Sequence, residues 1–172
     1  MSESETKTEK LKQAVNKELM FLSNTHGESA SLVARYRHNL NKKVGEDPFI
    51  FGHILEILPE ELYGNGDKAG RAEEAAYAAL TLYAFAKNDG NGSIADAISR
   101  IEQNGGIIQR FHLAETADDI DELKYRMRGI VSLIASKGES FSYSELAAEL
   151  YGWQFDPASQ IRRWERKIKI NN

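Results

Sequence analysis

The segment from Arg71 to Lys87 constrains the fold more than any other stretch. Ala75, Ala76, Ala79, Leu80, Leu82, Tyr83 and Ala86 make it apolar on nearly every side. A helix of that kind has no face to give to water, so other elements must surround it. Its small residues let those neighbours approach closely. The rest of the chain supplies the partners in helical form. Alternating apolar and polar runs are rare, and Ala, Leu, Glu, Lys and Arg dominate, which favours helix over strand.

About eight helices follow from the periodicity. The first is expected from Thr8 to Ser23, with Leu11, Val15, Leu19 and Leu22 on one face, and residues 1–8 before it are expected to be disordered. A second starts near Glu28 and carries Leu32, Val33, Tyr36 and Leu40 on its inner stripe. Asp47-Pro48 reads as an N-cap with proline at the first helical position, opening a helix to Leu58 and a short turn from Pro59 to Tyr63. Ser93 with Asp96 caps a helix to about Gln103. A short helix near Ile107 to Ala114 comes next. Thr116 with Asp119 marks the start of another, whose buried stripe is Ile120, Leu123, Met127, Ile130, Val131 and Ile134. Ser142-x-x-Glu145 is a capping box for a helix to Tyr151, and Asp156-Pro157 opens a basic final helix. The expected fold is all-α, in two packed helical halves: 1–104 and 105–172, divided at Gly105-Gly106.

No catalytic constellation is visible. The chain has no cysteine, so disulfides and thiolate metal sites are excluded. His26, His38, His53 and His112 lack the His-Glu-x-x-His spacing and are expected to be surface or half-buried residues, with no metal and no cofactor implied. Glu73-Glu74 and Asp118-Asp119 fall in first turns of helices, where the helix dipole accounts for them. Gly64-Asn65-Gly66-Asp67-Lys68-Ala69-Gly70 superficially resembles a phosphate loop, but no strand precedes it and no Gly-Lys-Ser/Thr ends it. The charged N-terminus lacks a signal-peptide core, and no stretch has the length of a membrane span. A cytoplasmic, non-enzymatic protein is expected.

The charge map is the most informative feature left. Net charge is −4 over 172 residues, yet cations gather in three windows. Residues 31–44 hold Arg35, Arg37, Lys42 and Lys43 with no acid. Residues 126–137 hold Arg126, Arg128 and Lys137, again with none. Residues 159–172 hold Arg162, Arg163, Arg166, Lys167 and Lys169 against Glu165. Spaced arginines on helices, without a base-reading pattern, suit contacts to nucleic-acid backbone. Tyr36 and Trp164 sit among the arginines and could stack on bases, but core packing is the favoured reading of both.

Several segments taken together resemble one family. Ala34-Arg35-Tyr36-Arg37 is similar to its early basic helix. Ala79-Leu80-Thr81-Leu82-Tyr83-Ala84 is similar to its central helix, with Gly92-Ser93-Ile94-Ala95-Asp96-Ala97-Ile98 opening the next. Arg110-Phe111 and then Thr116 to Leu123, Met127-Arg128 and Val131-x-Leu133-Ile134 continue the pattern. Tyr143 to Gln154, followed by Arg162-Arg163-Trp164, completes it. The chain resembles the CasB family, the small subunit of the type I-E CRISPR Cascade complex, over roughly Ala30 to Lys167. Ser142 and the segment Glu165-Arg166-Lys167-Ile168 depart from the usual pattern. The resemblance implies a helical subunit present in two copies, without catalysis, meeting other Cascade subunits, crRNA and target DNA with its displaced strand. It places nucleic-acid contacts at Arg35, Arg37, Arg110, Arg128, Arg162 and Arg163. The charge map adds Arg126, Arg166 and Lys167. Two other readings stay open: a helix-turn-helix DNA-binding regulator built on Phe141 to Gly152, with Asp156-Pro157 lengthening its turn, and a structural protein–protein adaptor.

Overall fold

The computed structural model describes residues 2–24, 26–101 and 106–170, apart from the side chains of residues 4 and 5. Among them are nine α-helices, one 3-10 turn and a single isolated β-bridge. In chain order the helices are α1 (Glu3–Leu22), α2 (Glu28–His38), α3 (Pro48–Ile57), α4 (Arg71–Ala86), α5 (Ile94–Arg100), α6 (Ile107–Glu115), α7 (Ile120–Ser136), α8 (Tyr143–Phe155) and α9 (Pro157–Ile170). The fold is all-α, as the periodicity requires.

Helix α4 occupies the centre. It packs against α1, α2, α3, α7 and α8, and Ala75, Ala76, Ala79, Leu80 and Leu82 are fully buried. Around it, α1 lies on α8, α6 on α7, and α9 on α5 and α8. Leu11, Val15, Leu19 and Leu22 of α1 face the common core. Two loops are pinned together beside it. Gly90 N–H donates to the Phe141 carbonyl at 2.8 Å, and Ser142 N–H to the Gly92 carbonyl at 2.8 Å. The Tyr143 hydroxyl donates to Asn88 at 2.7 Å, and Arg100 pairs with Glu139 at 2.8 Å. A side chain at Gly90 would collide with Ser140, whose Oγ would lie 2.3 Å from the new carbon.

Several local expectations change. Helix α1 starts at Glu3 rather than Thr8, so residues 3–8, expected to be disordered, are helical. Met20 and Phe21 sit on its exposed side near the end. Helix α5 ends at Arg100, short of Gln103, while the boundary between halves at 104 and 105 lies outside the described residues. Thr116 closes α6, and Asp119 alone opens α7, accepting from Glu122 N–H at 2.8 Å. Ser142 does cap α8 through Glu145 N–H at 3.1 Å. The Glu145 carboxylate, however, reaches Lys12 of α1 at 3.0 Å instead of returning to the cap.

Candidate nucleic-acid interface

The first two basic windows meet. Arg128 on α7 donates to the Asn41 side chain in the loop after α2, and Lys124, one turn earlier, donates to the Lys42 carbonyl at 2.8 Å. Most cations of this region already have protein partners. Arg35 makes two bonds to Asp47, both 3.0 Å, and its guanidinium stacks 4.3 Å from the Phe49 ring. Asp47 also accepts from Asn39 at 2.9 Å and caps α3 through Phe49 N–H at 3.1 Å. The Arg35 guanidinium, helped by Asn39, holds the Asp47 carboxyl well below the usual carboxylate range. Arg126 binds Glu122 at 2.5 Å and Thr116 at 3.0 Å. Arg37 donates to the Ala84 carbonyl at 3.3 Å. Arg128 stacks 4.3 Å over exposed Tyr125. Burial pushes the Lys124 ammonium down to about 8, over the Tyr77 ring.

The third window is arranged differently. Helix α9 buries Gln160, Trp164 and Ile168, one turn apart, against the body. Trp164 is fully buried and meets Phe111 of α6 edge to face at 5.2 Å. Its indole N–H donates to Glu149 at 2.5 Å, where Ser93 and Gln160 also donate, at 2.9 and 3.3 Å. Burial raises the Glu149 carboxyl to about 7, against the pull of Ser93 and Trp164. With one face of α9 fixed inward, Arg162, Arg163 and Arg166 are exposed, as is Arg110 on α6. None of these four guanidinium groups is paired with a carboxylate among the described residues. Lys167 on this side has an acid close by, Asp96 at 3.8 Å. Arg163 borders an open groove of about 560 Å³ that also takes in Lys12, Glu145 and Phe155. The nine cations named from the sequence therefore divide by partner. Arg35, Arg126 and Lys167 face carboxylates, and Arg37 and Arg128 have neutral partners. Arg110, Arg162, Arg163 and Arg166 face no acid among the described residues.

The sequence matches the family model for CRISPR-associated protein Cse2 over residues 33–167, most of its length. The chain belongs to the Cse2 family. This is the type I-E Cascade small-subunit family that its motifs resemble. Three solved structures share the Cse2 fold. CasB from Thermobifida fusca superposes with a TM-score of 0.68 at 19% identity, covering 94% of this chain and 96% of that one. A Cse2-family CRISPR-associated protein from Thermus thermophilus gives 0.70 at 23% identity, covering 90% and 97%. A structure of CasB from the same species gives 0.70 at 21% identity over the same shares. No curated protein matches the sequence. At these identities the superpositions establish the fold.

Other expectations resolve within this Cse2 fold. Tyr36 and Trp164 are both fully buried, so neither ring is available for base stacking. The Gly64–Gly70 loop is closed on an internal anion: Gly64 and Gly70 N–H groups donate to the Glu73 carboxylate at 2.9 and 2.7 Å. A phosphate would have to displace Glu73 from those groups. The helix-turn-helix reading assumed a turn after Tyr151, but α8 runs on to Phe155 and only Asp156 separates it from α9. His112 and Glu115 converge with Glu165. Spacing along the chain missed that group because its third member comes from another helix. No helix among the described residues is long and apolar enough to cross a membrane.

Proposed function

We propose that this Cse2-family chain acts as a non-catalytic subunit of a type I-E CRISPR surveillance complex in the cytoplasm. It grips nucleic-acid backbone through the outward faces of α9 and α6. Two copies sit beside the other Cascade subunits and support the crRNA–target DNA assembly and its displaced strand. Guide pairing reads sequence in RNA-guided systems, and protein contacts stabilise the opened duplex. The observation that carries this reading is the exposure of Arg110, Arg162, Arg163 and Arg166 without carboxylate partners among the described residues. A guanidinium free of internal ion pairs keeps its donors for phosphate. Arg37 and Arg128, whose partners among the described residues are neutral, form a second line of contact. Arg35, Arg126 and Lys167 contribute less, because phosphate must compete with a carboxylate already in place.

The test is single-stranded DNA binding by the full chain across a salt series. Each neutralised phosphate contributes about −0.7 to the slope of log affinity against log salt. Arg162→Glu with Arg163→Glu is expected to weaken binding on every sequence and to flatten that slope by about 1.4. An unchanged slope in a folded variant overturns the assignment. No binding by the unaltered chain at low salt favours the adaptor reading, in which these charges meet acidic protein surfaces.

A further inference from the structure

Beside the basic face, three side chains come together with the chemistry of a metal centre. His112 and Glu115 lie one turn apart on the same side of α6, and Glu165 reaches them from α9. One ligand atom of each lies within 4.8 Å of the other two. His112 Nε2 is 2.9 Å from Glu165 Oε1. These groups bring α6 and α9 together at one crossing. Their chain neighbours Phe111 and Trp164 lock it through the edge-to-face contact in the core.

Two carboxylates brought together in this way repel unless something lies between them. Glu115 is 7% exposed, and its Oε2 has no hydrogen-bond partner among the described residues. Glu165 Oε1 has none among them either, its approach to His112 lacking hydrogen-bond geometry. An unsatisfied buried carboxylate oxygen is costly. Burial, together with Glu165, raises the affinity of Glu115 for a proton. A cation would satisfy the same oxygens.

We propose that His112, Glu115 and Glu165 bind a divalent first-row transition metal, zinc(II) foremost, which links α6 to α9. One imidazole and two carboxylates make a borderline donor set suited to zinc, whereas magnesium prefers oxygen ligands alone. Metal–ligand bonds of about 2.0–2.2 Å place neighbouring donors about 3–3.6 Å apart in tetrahedral or octahedral geometry, so small rotamer changes close the site. His112 is 53% exposed on its side chain, leaving a position open to water. The metal fixes α9 relative to the helix that carries Arg110. This inference is independent of the nucleic-acid reading.

Isothermal titration of the tag-free, chelator-treated full chain with zinc chloride tests it. One saturable site per chain is expected, with a higher melting temperature in zinc than in chelator. His112→Ala and the near-isosteric Glu115→Gln are each expected to weaken zinc binding by at least about tenfold. The second variant guards against loss of fold, and melting in chelator checks both. Absence of saturable binding at micromolar zinc, or unchanged binding in either folded variant, overturns the proposal. Magnesium at equal concentration is expected to give no saturation; saturation like that of zinc also overturns it.

Discussion

The α2–α7 surface and the α9 surface are both rich in arginine, and they use it differently. On the first, the cations hold the protein together. Arg35 is clamped by Asp47 and stacked on Phe49, and Arg126 is clamped by Glu122. On the second, Trp164 and Glu149 hold the helix, leaving Arg162, Arg163 and Arg166 outside that network. A count of basic residues does not separate these cases; the identity of each partner does. Exposed ion pairs add little to stability. Asp47 is a different case, because its carboxylate also serves Asn39 and a helix N-terminus. The α2–α7 side therefore spends Arg35 and Arg126 on structure, and the α9 side leaves its arginines outside it.

The largest expected effect tests whether α9 rests on its inner face. Trp164→Ala removes a fully buried indole and is expected to cost about 3–5 kcal/mol, measured by denaturant unfolding. A cost below about 1 kcal/mol would mean that the arginines are positioned by something else.

A smaller effect contrasts the two surfaces directly. Asp47→Ala removes the α3 cap and the Arg35 clamp, with an expected loss of about 1–2 kcal/mol from the cap alone. Arg162→Gln is expected to shift the melting temperature by less than about 2 °C. Equal stability losses in the two variants would erase the distinction. Acid sharpens it. Because the folded Asp47 carboxyl is held low, its contribution is present above about pH 3.9 and is lost only as pH falls through the lower folded value.

A third contrast concerns the Glu149 hub. Its carboxyl is raised to about 7 in the folded chain, against about 4.3 unfolded. Between those values the folded state holds more protons, so this group's stabilisation is lost as pH rises. Of the charged groups around it, Glu145 raises the carboxyl further and Lys167 opposes that. Unfolding midpoints at about pH 5 and about pH 8 are expected to show a smaller decline for Glu149→Gln than for the unaltered protein.

Local chemistry made much of the fold legible. The all-round apolarity of Arg71–Lys87 marked the central helix, and Asp47-Pro48 and Ser93 with Asp96 marked helix starts. Tyr36 reads as core from its place on an apolar stripe, and Trp164 as the anchor of a terminal helix; both are fully buried. What stayed hidden depends on pairs distant in sequence. Asp47 lies 12 residues from Arg35, and nothing between them announces a clamp. Glu145 matches a capping box, yet it is drawn across to Lys12 on another helix. The expected end of α8 at Tyr151 lies short of Phe155, where it ends. The helix continues past Tyr151 beneath α9, where Gln160 Oε1 would lie 3.8 Å from a side-chain carbon added at Gly152. The basic windows are visible along the chain, but the availability of each cation depends on which acids the fold brings alongside.

The bond from the Trp164 indole to Glu149 acts as a key in a keyway. Sliding α9 by one residue, or rolling it by a third of a turn, would strand a buried acid and an indole N–H together. The helix therefore has one rotational setting, chosen on its hidden side. Its outward residues can change in length, charge or number without redirecting the helix that displays them.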